Sequence, residues 1–300
     1  MLEDYINALR AGQRATRAAQ ARGQSPYLAV LDDILRGVNI VAQEPLGLVD
    51  IPAESIVGTK TAGRHTAFAP NFMPILEVDS EFARKWSNLC DAHLEEGIRN
   101  PVTAYEYLNK FYVEEGNKRV SVLKYYEAVK IPGTVTRLVP ERNETLENKI
   151  YYEFLDFYKL SKINYVHFSR LGGYAKLQTL VCKATGESWT DDDRLNFASL
   201  YTMFSQQFYA LGGSALGLTP GDALLVYLAV YRYSDAIEST PAQVRENLSK
   251  LWDEIKILTR PQAVELQLEP ATKQGAEPLL SKLNIFSPRP SELRVVLLHE

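Results

Sequence analysis

The stretch PVTAYEYLNKFYVEEGNKRVSVLKYYEAV, residues 101–129, constrains this chain more than any other. PVTAYEYL and KFYVEE both alternate apolar with polar side chains, and they flank Asn109. Alternation with a period of two marks a strand with one buried face, and an asparagine between two such runs marks a hairpin. At Gly116 the pattern changes to that of a helix, from about Lys118 to Val129. A hairpin that feeds directly into a helix needs a sheet and a helical layer, so the expected fold class is α+β.

The flanking segments extend this order. DSEFARKWSNLCDAHLEEG reads as a helix capped by Asp79, with Phe82, Trp86, Leu89 and His93 on neighbouring turns and Gly97 as its stop. GLVDIPAESIVG and IPGTVTRLVP read as strands, while TKTAGRHTAFAPNFMP has little periodicity and is long enough to be a functional loop. Residues 1–37 read as two helices, the second being SPYLAVLDDILRG, with Ser25 as cap, Pro26 at the first helical position and Gly37 as stop. Beyond Glu141 an aromatic segment leads into helices with plain caps, two of them opening on Thr219-Pro220 and Thr240-Pro241. Residues 260–291 are rich in proline, and ELRVVLLHE resembles a buried strand that opens a further domain. The expected division is N-terminal helices over 1–40, an α+β domain over 41–142, a helical domain over 143–259, and a linker with a lone strand over 260–300.

Of the 300 residues, 46% are hydrophobic, yet no uninterrupted apolar run reaches the 18 or so that a membrane helix needs. The N-terminus lacks the apolar core of a signal peptide, and the expected location is cytoplasmic. Two cysteines, Cys90 and Cys182, have no metal-ligand spacing. A net charge of −4 argues against a constitutive DNA binder, whose affinity comes from a basic face. His93 and His167 fall on apolar patterns and read as structural. Asp191, Asp192 and Asp193 suit the first turn of a helix without a metal. The tyrosines at 151, 152, 158, 165 and 174 read as packing residues, although tyrosines can also stack bases.

Lys118 and Arg119 stand where a helix dipole disfavours cations. If Gly116 ends a strand, the amides of Asn117, Lys118 and Arg119 point outward without intrahelical partners, and such a terminus is an anion site. In the bland alternative these two cations pair with Glu114 and Glu115 or face solvent. Arg64 and His65, beside Lys60 in the irregular loop, are the candidates to face a phosphate there, His65 with acid/base capacity.

The ordered pieces VDIPAESIVGTKTAGR and LCDAHLEEGIRNPVTAYEYLNKFYVEEGNKRVSVLKYYEAVKIPGTVTRLV resemble the ParB/sulfiredoxin-like superfamily over about residues 47–140. Arg64 matches the arginine of its first box, Gly97 and Pro101 its turn, and Gly116, Asn117, Lys118 and Arg119 its glycine-basic box. The resemblance implies that this box holds nucleotide phosphates. Two departures narrow it. Asn117 stands where sulfiredoxins carry a catalytic cysteine, and Ser121 stands where partition proteins carry a second arginine. The whole layout is similar to the N-terminal half of BMP-family ABC transporter substrate-binding proteins of the cytoplasmic, signal-less kind, in which a nucleoside-binding domain follows.

The expected function is therefore a nucleotide- or phosphate-binding regulatory module, with Arg64, Gly116, Asn117, Lys118 and Arg119 as the binding set. The expected ligand is a nucleotide or phosphorylated small molecule, with or without Mg2+. An NTPase or small-molecule phosphotransferase is the enzymatic alternative, with Glu114, Glu115 or His65 as base or magnesium ligand; no catalytic residue is assigned. A ParB-like DNA-binding protein is the other alternative, with a helix-turn-helix opening at RLGGYAKLQTLV. A homodimer is compatible with each.

Overall fold

A computed structural model describes residues 2–259. The linker and strand expected over 260–300 lie outside the described residues. The chain divides into two compact units, Met1–Asn143 and Glu144–Glu300.

The first unit is α+β. Helix α1 (Leu2–Ala21) precedes β1 (Ala29–Val30), the single-turn α2 (Leu31–Ile34), β2 (Ile40–Pro52) and β3 (Ile56–Thr59). Next come α3 (Glu81–Glu96), β4 (Val102–Tyr107), β5 (Lys110–Glu115), α4 (Asn117–Tyr125) and β6 (Lys130–Pro140). One six-stranded sheet results, in the order β1-β3-β5-β4-β6-β2. It is mixed: β5 with β4 and β6 with β2 are antiparallel, and the other neighbours are parallel.

The hairpin lies where the alternation places it. Its two turn residues, Leu108 and Asn109, have φ of 50° and 61°, as a two-residue turn with the right twist requires. The carboxylate of Glu106 accepts the Asn109 amide and also pairs with Arg137, its registered neighbour on β6. Both side chains are buried, so a shift of the hairpin by one residue would strand a charge in the interior.

Three expected boundaries are corrected. The helix expected over 25–37 is only the four residues of α2, because Ala29 and Val30 instead pair in parallel with Gly58 and Thr59. That approach is tight, since a Cβ on Gly58 would lie 2.3 Å from the Ala29 carbonyl oxygen. The short strand expected at GLVDIP is the end of a 13-residue edge strand, β2, which follows β6 through irregularities at Ile40/Ala42 and Pro45/Gly47. An edge strand can carry a proline at such a bulge without losing a ladder partner. Helix α4 ends at Tyr125, short of the expected Val129: Glu127 turns to a φ of 57°, and the Ala128 amide donates to the Leu123 carbonyl at 2.9 Å. This is a Schellman stop built without glycine. The α3 cap is also displaced by one residue, with Ser80 Oγ accepting the Ala83 amide at 3.1 Å.

Helix α4 lies against one face of the sheet. Val120 and Leu123 pack there with Ile51, Val102, Ala104, Phe111, Val113, Ile131 and Val135. On its other side Val122 joins Trp86 and Cys90 of α3 and Tyr5 and Ala8 of α1. The N-terminal helix is thus part of this unit, and Tyr5 meets the Trp86 ring edge-on at 5.5 Å.

The second unit is helical throughout its described part: α5 (Leu146–Ser161), α6 (Gly173–Leu180), α7 (Asp191–Ala210), α8 (Pro220–Val230), α9 (Tyr233–Ile237), α10 (Pro241–Lys250) and α11 (Trp252–Ile257). Thr190, Thr219 and Thr240 each close a capping box with the residue three positions on. The carboxylate of Asp222, fully buried, accepts from the Ser169 amide and from the amide and hydroxyl of Thr219. Tyr151 and Tyr174 are buried against other rings, and Tyr165 stacks on Phe197. Among the described residues no helix is long and apolar enough to cross a membrane.

Candidate functional site

The site is built where β5 gives way to α4. Gly116 turns the chain with φ of 110° and ψ of 18°, a left-handed conformation that favours glycine. A Cβ there would also lie 2.7 Å from Val102 Cγ1 and 3.1 Å from Arg119 Nε. Helix α4 has no side-chain cap. The first intrahelical acceptance, Val120 N to Gly116 O at 3.0 Å, leaves the amides of Asn117, Lys118 and Arg119 without helical partners.

The four members of the glycine-basic box do different things. Asn117 Nδ2 donates to Thr59 Oγ1 at 3.2 Å, and that hydroxyl donates on to the Val113 carbonyl at 2.9 Å. This chain ties the first residue of α4 to β3 and β5. Asn117 Oδ1 is left buried with no hydrogen-bond partner. Arg119 turns back: its guanidinium donates to the carbonyls of Asn100 at 2.9 Å and Pro101 at 2.6 Å. It also lies 3.6 Å from Glu115, so Arg119 clamps the turn before β4. Lys118 pairs with neither Glu114 nor Glu115 of the preceding strand. Its ammonium sits 5.0 Å from the centroid of the Phe82 ring on α3.

Phe82 is the hub that brings the loop to this helix start. Its ring meets Phe68 edge-on at 5.3 Å, and the Phe68 amide donates to the His65 carbonyl. Arg64, four residues before Phe68 in the 3-10 turn Ala62–Ala67, is exposed and has no hydrogen bond or ion pair among the described residues. The Lys118 ammonium is held below the usual lysine range, first by burial, then by the positive charges of Arg64 and Lys85. Arg64 is thus close enough for its charge to act on Lys118.

The acid/base candidates are placed differently. His65 Nδ1 lies 2.6 Å from the Ala62 carbonyl, so that nitrogen carries the proton, and the ring meets Tyr27 edge-on. Glu114 is exposed beside the irregularity between Thr103 and Ala104, and Glu115 faces Arg119. Lys60, beside the loop, is paired with Asp32. Elsewhere His93 accepts the Ile98 amide at 3.2 Å and so completes the end of α3. Asp193 caps α7 and pairs with Lys183 at 2.8 Å, and Asp191 pairs with Arg194.

Two participants escaped the sequence reading. Lys85 and Glu81 on α3 form an ion pair of 2.5 Å, and both lie in the electrostatic field of Lys118. Their i, i+4 spacing looks like an ordinary surface pair, and only the packing of α3 on α4 brings them to the site. No protein-family model matches this chain, and no curated protein sequence matches it either.

Proposed function

We propose that the α+β unit is a phosphate-binding module that takes a nucleotide or another phosphorylated small molecule, in the manner of a ParB/sulfiredoxin-like domain. One observation carries this reading: an uncapped helix start, with the amides of its first residues free of helical partners, carries Lys118, whose charge is opposed by that of Arg64, and neither cation has a bonded carboxylate among the described residues. Two like charges kept together on a folded surface cost free energy, and an anion between them reverses that cost. The amides of 117–119 supply directed donors, Lys118 a point charge and Arg64 a planar fork from the opposing loop. The Arg119 side chain supports the geometry without touching the ligand.

Binding is favoured over turnover. Glu115 is engaged with Arg119, and His65 Nδ1 is engaged with its own loop, which leaves exposed Glu114 as the nearest unengaged carboxylate of the box. A regulatory role for this binding unit is the function we propose.

Calorimetric titration with inorganic phosphate and with nucleoside mono-, di- and triphosphates tests the reading. The Arg64→Ala/Lys118→Ala variant is expected to lose at least tenfold in affinity with its fold intact. Equal affinity for wild type and variant, or no binding of any phosphate, overturns it.

A further inference from the structure

The net charge of −4 is unevenly spread along the chain. Between Asp4 and Asp32 stand Arg10, Arg14, Arg17 and Arg22, with neither an acid nor a lysine among them. The first three lie on α1, whose own acids, Glu3 and Asp4, are confined to its first turn. The rotation of that helix is fixed from its other side. Tyr5, Ala8, Gly12 and Ala19 are buried, the Tyr5 hydroxyl donates to the Leu76 carbonyl at 2.8 Å, and a Cβ on Gly12 would lie 2.3 Å from the Pro74 carbonyl oxygen. At about 100° per residue, Arg10, Arg14 and Arg17 fall in one sector opposite this buried face, and all three are exposed.

Helix stability does not account for the stripe. Arg10 with Arg14 and Arg14 with Arg17 place like charges on adjacent turns, which destabilises a helix. None of the three has a hydrogen bond or an ion pair among the described residues. The last turn, where a cation would favour the helix dipole, holds no basic residue.

We propose that the exposed face of α1 is a docking surface for duplex DNA, which Arg10, Arg14 and Arg17 hold by its phosphates without reading base sequence. The surface is separate from the glycine-basic turn and does not depend on the phosphate-binding reading above. Charge complementarity selects the partner. The three arginines rise about 4.5–6 Å from one to the next along the axis, a row that suits a polymer of evenly spaced charges. Each guanidinium can donate two parallel hydrogen bonds to one phosphate. Gln13 and Ala18, exposed beside them, form no pocket for the apolar anchor that a protein partner would use. A lipid surface takes up the apolar face of a helix, and here Tyr5 and Ala8 are already packed with Trp86 of α3. The major groove of B-form DNA is wide enough for a helix to approach the phosphates along its edge, whereas that of A-form RNA is deep and narrow.

Fluorescence anisotropy of a short labelled DNA duplex of mixed sequence, titrated with the full chain, tests the proposal. Neutralising three phosphates predicts a slope of about −2.7 in log K against log salt, a roughly fortyfold loss between about 50 and 200 mM. Arg10→Gln/Arg14→Gln/Arg17→Gln, which keeps good helix formers at exposed positions, is expected to melt like wild type and to lose at least about tenfold in affinity, with a slope near zero. Arg10→Lys/Arg14→Lys/Arg17→Lys keeps the charge and is expected to retain binding. The wild-type slope reads the same contacts even if a substituted protein fails to fold. The predicted slope, with loss in the glutamine variant and retention in the lysine variant, supports the proposal. DNA binding unchanged by the glutamines, a flat salt dependence, or no binding at about 50 mM salt overturns it. Tighter binding of duplex RNA, or of phosphatidylserine–phosphatidylcholine vesicles, than of DNA overturns DNA as the occupant.

Discussion

Trp86 Nε1 donates a 2.8 Å hydrogen bond to Ser121 Oγ, and both side chains are fully buried between α3 and α4. The bond fixes the rotation of α4 and hence the direction in which its first amides face. It also explains why an arginine has no room two residues after the glycine-basic box. Ser121→Ala leaves the indole N–H unpaired in the interior and is expected to cost roughly 1–3 kcal/mol in urea unfolding. Ser121→Arg is expected to prevent folding of the α+β unit. A Ser121→Ala protein as stable as wild type would show that the bond does not hold the helix.

Arg119 and Lys118 stand side by side and are expected to respond oppositely to substitution. Arg119 bridges the carbonyls of Asn100 and Pro101, so Arg119→Ala leaves acceptors before β4 without their donor and should lower the melting temperature. Lys118 is a cation held against burial and like charge, which is a cost to the free fold. Lys118→Gln should therefore melt no lower than wild type while losing phosphate affinity, the trade expected of a functional residue. Thermal melts with and without phosphate check both. A Lys118→Gln protein that melts well below wild type without phosphate would assign Lys118 to the fold instead.

Lys118 also sets a pH dependence for binding. Its proton affinity in the free protein is depressed by burial, then by Arg64 and Lys85, so it loses its charge at a lower pH than an ordinary lysine. A bound dianion favours the ammonium and raises that pKa again. Binding is thus expected to strengthen as phosphate becomes dianionic near pH 6 and to weaken in alkaline solution, with proton uptake on the alkaline side. Calorimetry in buffers of different ionisation enthalpy measures the uptake. Lys118→Arg, which stays protonated, should extend binding to higher pH. An alkaline limb unchanged by Lys118→Arg would place the titration elsewhere.

What the sequence revealed and what it hid follow from range. The hairpin and the turn at Gly116 are written in consecutive residues, because alternation and a left-handed glycine act within a few positions. Arg119 could not be separated from Lys118 in this way, since its acceptors, Asn100 and Pro101, come from another turn of chain. The stop of α4 uses Glu127 where glycine is the usual sign, and Pro45 disguises the middle of β2 as a break. Lys85 and Glu81 carry a spacing that any exposed helix shows, and only the packing around Phe82 and Trp86 makes them neighbours of Lys118.

His167 gives the helical unit an acid-sensitive point. Both ring nitrogens are buried without a hydrogen-bond partner among the described residues, and the ring lies 6.4 Å from that of Phe154. Burial alone pushes its pKa from 6.5 down to about 4. Since the unfolded chain takes up this proton more readily than the folded one, the contribution to stability is complete above the ordinary value and is lost as pH falls toward 4. A shift of this size corresponds to roughly 2–3 kcal/mol between pH 7 and 4.5. His167→Leu removes the titration and should cut the loss of unfolding free energy over that range by about this amount. If His167→Leu does not fold, the His167 ring proton in the NMR spectrum of wild type still reports the titration. A midpoint near the ordinary histidine value, or an unchanged pH dependence in His167→Leu, would show that the imidazole reaches water.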